Sequence, residues 1–210
     1  MDCRTVWDKY SNCWASAGGQ HAVGGQGLMA GWYDACTGWA ATVDRLAVFS
    51  FSVPFIKTTR SFFFVSKNST ASFDWRDITG KKIGFLHGWA SNDKCVARWT
   101  AVSGSVLREE QKFTVASPAQ LRDSILSGTV DAGFAGQRDM EAEMTYLDQV
   151  GDGTSCFVVG QAMVTRKDSD FNSYWNVGFQ KLVSSGKFKK LCEETEKKHG
   201  HKGDIGCVET

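Results

Sequence analysis

The chain has no excess of either charge: 24 Lys and Arg stand against 23 Asp and Glu, for a net charge of +1. A nearly neutral surface sets up no long-range field toward nucleic acid or an anionic membrane, so the expected partner is a small molecule. No apolar run reaches the length needed to span a bilayer, and Met1-Asp2-Cys3-Arg4 lacks the apolar region of a secretion signal. Either such a signal has been removed or the sequence begins inside a longer protein. There is no Cys-x-x-Cys pair, which argues against a zinc ribbon or a thioredoxin-type redox site. No Gly-x-Ser-x-Gly elbow occurs, and none of the four histidines sits in a context that marks a catalytic base. The glycine-rich stretch 18–27 lacks the Gly-Lys-Ser/Thr of a phosphate loop and the G-x-G-x-x-G order, so it reads as a flexible connection.

What is present describes a globular chain. At 210 residues, 42% hydrophobic and 22% charged, it can bury a core in one large or two small lobes. Eight Trp, 14 Phe and four Tyr supply rings for that core. Seven cysteines favour disulfides: Cys192 and Cys207 flank a Lys/His/Gly-rich tail, and Cys3 and Cys13 are placed to tie down the N-terminal end. The odd count leaves one thiol over, and Cys36, in an apolar strand, is the candidate for a buried inert one. Asn68-Ser69-Thr70 is a glycosylation sequon, and with the cysteines it favours an extracellular or periplasmic setting.

The most informative stretch runs from Asp34 to Phe55. An Asp-Ala-Cys strand start leads into a Gly38-Trp39-Ala40-Ala41-Thr42 loop, then Arg45, then a second extended run broken by Pro54, which cannot donate to a sheet ladder. A guanidinium fork beside the backbone amides of small residues suits a carboxylate. The plainer reading is a solvated arginine pairing with Asp44.

The order Asp34-Ala35, Gly38, Thr42-x-x-Arg45, Phe51-Ser52-x-Pro54-Phe55 resembles the signature of the family 3 extracellular solute-binding proteins, although the span from Asp34 to Thr42 is one residue shorter here. Asp77-x-x-Gly80-Lys81-Lys82-x-Gly84 is similar too. The resemblance implies an α/β fold of the type II periplasmic-binding-protein kind, two lobes joined by two crossover strands. Residues 1–64 with 159–210 would form the first lobe, and 65–158 the second. In the family an opening strand, helix and strand precede this point, for which there is too little chain, so the first lobe is expected to be incomplete. The resemblance further implies that Arg45, with Gly38, Trp39, Ala40 and Thr42, holds a ligand carboxylate, while Trp89, Ala90 and Ser91 contact the ligand from the second lobe. Amino-acid-binding members hold the ligand's ammonium with an acidic residue whose position here is Gly136. Asp139, three residues on, is not equivalent, which favours a carboxylate ligand without an α-amino group.

Local signals complete the expectations. Arg60-Ser-Phe-Phe-Phe-Val-Ser66 reads as a strand, as do Lys81–Leu86, Val130–Ala135 and Cys156–Thr165. Cys95, Val96, Trp99 and Val102 share a helical face on a segment capped by Ser91 or Asn92 and ended by Gly104, whose N-terminus would be an anion site. Ser117-Pro-Ala-Gln120 is a capping box, with Leu121, Ile125 and Leu126 apolar and Gly128 as the stop. Phe171, Trp175, Phe179 and Leu182 mark another helix, and Phe188, Leu191 and Cys192 a last one. Helix, Gly, x, Tyr/Val, Asp, Ala occurs from Leu28 to Ala35 and again before Ala132, so each lobe is expected to repeat one helix-to-strand unit.

His199-Gly-His201 with Asp204 and Cys207 has metal-binding residue types, but a polar His/Lys tail is usually just solvated and no partner is at hand to orient the ligands, so no metal or cofactor is expected. The expected function is non-catalytic: a monomer closing two lobes over a small carboxylate, within a transporter or receptor system. The competing readings are a dehydratase-type enzyme using His87 or Asp139 as acid, and a fragment of a larger receptor.

Overall fold

The computed structural model describes residues 3–15, 23–199 and 206–208. Along the chain the elements are α1 (Gln26–Met29), β1 (Cys36–Ala40), α2 (Val43–Val48), β2 (Phe49–Phe51), β3 (Ser61–Ser66), β4 (Ile83–Leu86) and α3 (Asp93–Ala97). They continue with β5 (Lys112–Val115), α4 (Pro118–Leu126), β6 (Ala132–Gly136), β7 (Leu147–Thr154), β8 (Gln161–Arg166), α5 (Phe171–Ser184) and α6 (Lys187–His199). Two compact units result: Met1–Thr58 with Phe157–Thr210, and Thr59–Cys156. The division falls at 58/59 and 156/157, where the sequence suggested 64/65 and 158/159, so that β3 lies wholly in the second unit.

The first unit holds an antiparallel sheet ordered β1-β8-β2, with Cys36 opposite Val164 and Phe49 opposite Arg166. Trp14, Leu28, Cys36, Phe49 and Val164 form its core. A disulfide joins Cys13 to Cys36, so Cys36 is not the spare thiol and Cys13 is not paired with Cys3, which is free and exposed. The reason is positional: Trp14 packs into the core beside Phe49, which carries Cys13 to β1. The expected Cys192–Cys207 bridge is present. Phe171, Trp175 and Phe179 stack along α5 at four-residue spacing, as the periodicity predicted, yet no residue of this 14-residue helix is fully buried.

The second unit holds five strands ordered β5-β4-β6-β3-β7. β4 lies parallel to both β5 and β6, whereas β3 runs antiparallel to β6 and β7. All residues of β4 and β6 are buried, as expected for strands covered on both faces. Gly133 brings α4 close to the sheet, since a Cβ there would stand 3.0 Å from Leu121. Ser117 accepts from Gln120 N and Gln120 accepts in return from Ala116 N, the reciprocal cap the sequence announced one residue away. Leu121 and Ile125 are buried, but Leu126 points outward. The helix expected over 92–104 is only α3; Trp99 and Val102 reach the core from turns that follow it. β7 was not foreseen, and the strand expected to start at Cys156 begins at Gln161 because Cys156 is tied to Cys95.

The repeated unit is real. Gly31 follows α1 with φ 76° and Gly128 follows α4 with φ 72°, and each turn delivers the next strand, β1 or β6, to the edge of an antiparallel neighbour. No helix among the described residues is long and apolar enough to cross a membrane.

Candidate functional site

The expected residues fall into two sets, one in each unit. In the first unit, β1 carries Gly38, Trp39 and Ala40, which are therefore strand residues and not the loop that the small side chains suggested. Gly38 has φ 80° at a break in the β1–β8 register, the backbone setting that needs glycine. Thr42 is the N-cap of α2, its hydroxyl accepting from Arg45 N at 3.3 Å. Arg45 accordingly sits on the first turn of a helix, not in a loop, because the cap starts the helix three residues before it.

Arg45 is 5% exposed, which excludes the solvated-arginine reading. Its Nη1 donates to Ala40 O at 2.8 Å, and the guanidinium carbon lies 4.9 Å from the Trp39 ring and 5.2 Å from the Trp14 ring. The two indoles, tilted 42° to each other, lie on adjoining sides of the guanidinium and shield it from water. Burial lowers its pKa to about 10, offset in part by Asp44, so the group stays charged at neutral pH.

In the second unit, the chain leaving β4 goes to β5 on one side of it, and the chain leaving β5 goes to β6 on the other. Between the C-terminal ends of β4 and β6 is therefore the place where connections diverge, the usual ligand position of an open α/β sheet. Trp89, Ala90 and Ser91 follow β4, and Gly136 ends β6. Trp89 is 38% exposed, available to a ligand, whereas Ala90 and Ser91 are buried. Ser91 Oγ is 2.6 Å from Ser61 Oγ, and Ser61 lies opposite Gly136 across β3 and β6, so a hydroxyl pair ties the turn after β4 to the start of β3, beside the end of β6. The helix expected to offer an anion site at its N-terminus is α3, of only five residues, and one of its first N–H groups, that of Cys95, already donates to the Asn92 side chain at 3.2 Å.

Sequence reasoning set Asp139 aside, and the structure brings it back. The turn after β6 folds Asp139 over Gly136, whose missing side chain leaves room: a Cβ there would collide with Asp139 Oδ2 and stand 3.7 Å from Thr59 Oγ1. Burial raises the Asp139 pKa to about 6, opposed by a backbone hydrogen bond from Gly136 and, least, by Arg138. No periodicity marks this return; the signal is the glycine at a position where the resemblance leads one to expect an acid. Thr59 and Ser61 also lie at this strand end, a placement no sequence pattern marks.

A cavity of about 310 Å³ lies beside the Cys192–Cys207 disulfide, lined by Phe188, Lys189, Glu193 and Glu196. It includes none of the expected site residues and no convergent charge pair, so the switch point is the stronger candidate. Among the described residues no group of His, Cys, Asp and Glu is arranged to hold a metal; His201 and Asp204 lie outside them, and Cys207 is in a disulfide.

No family model matches the chain, and no curated protein matches it by sequence. Solved structures do. The arginine-, lysine-, histidine-binding protein ArtJ from Geobacillus stearothermophilus superposes with a TM-score of 0.61 at 16% identity, over 80% of this chain and 72% of that one. AbpA, an amino acid ABC transporter substrate-binding protein from Streptococcus pneumoniae bound to L-arginine, gives 0.58 at 21% identity, over 82% and 71%. A histidine kinase sensor domain with similarity to periplasmic binding proteins gives 0.64 at 15%, over 88% and 75%. The fold of this chain is thus that of the two-lobed periplasmic binding proteins, as the Arg45 motif implied.

Proposed function

We propose that the chain is a non-catalytic solute-binding protein for a small carboxylate-bearing molecule. Arg45 takes the carboxylate, flanked by Gly38, Trp39, Ala40 and Thr42, and the second unit contributes Trp89 and the end of β6 at Gly136. The observation that carries this reading is the placement of Arg45: its guanidinium lies 5.2 Å from the Trp14 ring and 4.9 Å from the Trp39 ring, just after the strand that carries Gly38, Trp39 and Ala40, and it stays charged at neutral pH, the sign a carboxylate requires. The named structural neighbours point the same way, being binding proteins for arginine, lysine and histidine and a sensor domain. Amino acids therefore belong among the acids to be tested beside plain organic acids. Three disulfides favour a site outside the cytoplasm, where a monomer of this kind would serve a transporter or receptor.

The test is a thermal-shift screen of amino acids and small mono- and dicarboxylates. A binder present at 100 times its Kd stabilises the folded state by about 2.7 kcal/mol, a readable shift. At least one acid is expected to raise Tm, and Arg45→Lys, which keeps the charge but loses the fork, is expected to weaken it by about tenfold or more. A screen in which no carboxylate shifts Tm overturns the reading.

A further inference from the structure

We propose that the Asn68 side chain carries an N-linked oligosaccharide. The modification lies within the second unit and is independent of the solute that the protein binds.

Three observations meet at this residue. The first is that Asn68 stands apart from the other asparagines. The chain has five, and four of them use the carboxamide to hold the fold. Asn12 Nδ2 donates to Asp8 at 3.0 Å, Asn92 Oδ1 accepts from Cys95 N at 3.2 Å, Asn172 Nδ2 donates to Thr165 Oγ1 at 2.9 Å and Asn176 Oδ1 accepts from Val53 N at 2.9 Å. Asn68 is exposed, and among the described residues only its backbone N–H is engaged, donating to Ser66 Oγ at 3.4 Å. Asn68 is also the only asparagine followed two positions later by Ser or Thr, the pattern that an N-glycan transferase reads. The one carboxamide that the fold does not use is the one the motif selects.

The second is placement. β3 is buried from Ser61 to Val65, and Lys67 and Asn68 are exposed on the 3-10 turn Lys67–Ser69 that follows it. The chain leaves the core at this turn, so a bulky polar group on Asn68 extends into water and displaces no packing. The third is the setting. Three disulfides form where thiols are oxidised, in the same compartments outside the cytoplasm in which N-glycans are attached.

The donor class is a lipid-linked oligosaccharide, a sugar joined through C1 to the diphosphate of a polyprenol. Asn68 Nδ2 forms the bond to C1, the bond from C1 to the diphosphate oxygen breaks with its electron pair leaving on the lipid diphosphate, and one amide proton passes to a base of the transferase. Nothing is oxidised or reduced. Thr70 sets the timing. In the folded unit its hydroxyl donates to Asp148 at 2.6 Å, and Asp148 lies on β7 opposite Val65, 78 residues after Thr70. A transferase that reads this hydroxyl must do so before β7 pairs with β3, so the acceptor is the chain as it is being made.

The simplest competing account is a three-residue motif that arose by chance and is never modified. The experiment secretes the full chain from cultured eukaryotic cells behind a cleavable signal, together with Asn68→Gln, Thr70→Val and Thr70→Ser. Each product is weighed by intact mass spectrometry before and after treatment with peptide-N-glycosidase. The parent is expected to exceed its 23.1 kDa polypeptide by the mass of an oligosaccharide, and the enzyme to remove that excess while converting the Asn68 carboxamide to a carboxylate. Asn68→Gln and Thr70→Val should carry no excess mass, and Thr70→Ser should retain it. Because the Asn68 carboxamide holds nothing in the fold, Asn68→Gln should keep the thermal transition of the deglycosylated parent, which separates a lost glycan from a misfolded product. A parent secreted at its bare polypeptide mass overturns the inference. An excess that survives in Asn68→Gln places the sugar elsewhere and overturns it equally.

Discussion

The second unit, from Thr59 to Cys156, builds five hydrogen-bonded strands, and the first builds three. Both start from the same device, a short helix stopped by a glycine at positive φ that feeds a strand beside an antiparallel neighbour. In the second unit that strand, β6, has β4 on its other edge; in the first, β1 is the outermost strand of its sheet. The contrast extends to the cores. Phe63 stacks on Trp99 and tilts against Phe73 and Phe134 in a cluster that also takes in Trp75, Ile78 and Ile83. The first unit gathers far fewer buried rings, and its long helix α5 keeps Tyr174 and Val177 exposed. Local sequence thus sets the repeated turn in both units, while the number of strands stacked on it decides how much apolar surface leaves water.

The largest effect expected from this difference is all-or-none. Ser61 pairs with Thr154, so the ends of the second unit lie side by side, and a polypeptide of residues 59–156 has no gap to close. It should fold alone, with a cooperative thermal transition and dispersed amide resonances. Residues 1–58 joined to 157–210 should show neither. A fragment 59–156 without a cooperative transition breaks the comparison.

The disulfides sharpen it. By loop length, Cys13–Cys36 contributes about 3 kcal/mol and Cys95–Cys156 about 4 kcal/mol in the chain-entropy account. The larger loss should nevertheless be the better tolerated. Without Cys95–Cys156 the second unit still has its ring cluster, so the double Cys→Ala variant should keep its near-ultraviolet dichroism at 25 °C with a lowered Tm. Without Cys13–Cys36 the segment carrying Trp14 is released from β1, and Trp14 is both core to the first unit and one wall against Arg45. That double variant should lose amide protection in β1. Equal protection in the two variants would count against a weaker first unit.

What could be read from the sequence follows the same division between local and distant causes. The α4 cap, the run of β3, the rings of α5 and the stops at Gly31 and Gly128 are written in neighbouring residues and appear in the structure as read, whereas the helix expected to run to Gly104 ends at Ala97. Arg45 was legible through a motif, yet its helix was not, since a single N-cap threonine in a stretch of small residues looks like a loop. The pairing of Cys13 with Cys36 was hidden because it depends on Trp14 packing across the sheet. The placement of Asp139 was hidden for a related reason: its carboxylate folds back over Gly136, and three residues of separation carry no periodic signal.

The smallest expected effect concerns that carboxylate. The unfolded chain ionises Asp139 near 3.8 and the folded chain near about 6. Between those values the unfolded state holds fewer protons, so Asp139 lowers stability as pH rises from about 4 to about 6, and the deficit persists above. The full difference corresponds to about 3 kcal/mol at neutral pH, and about 1–2 kcal/mol is expected once partial access to water is allowed for. Asp139→Asn should therefore be more stable than the parent at pH 7 and indistinguishable from it near pH 4, as read by urea denaturation at both values. Arg138 bears on the carboxylate only weakly, so Arg138→Gln should change the pH dependence little. A structural carboxylate would behave the opposite way, with its loss destabilising at neutral pH. A gain of stability at neutral pH is what a part-buried carboxylate uncompensated by the fold predicts.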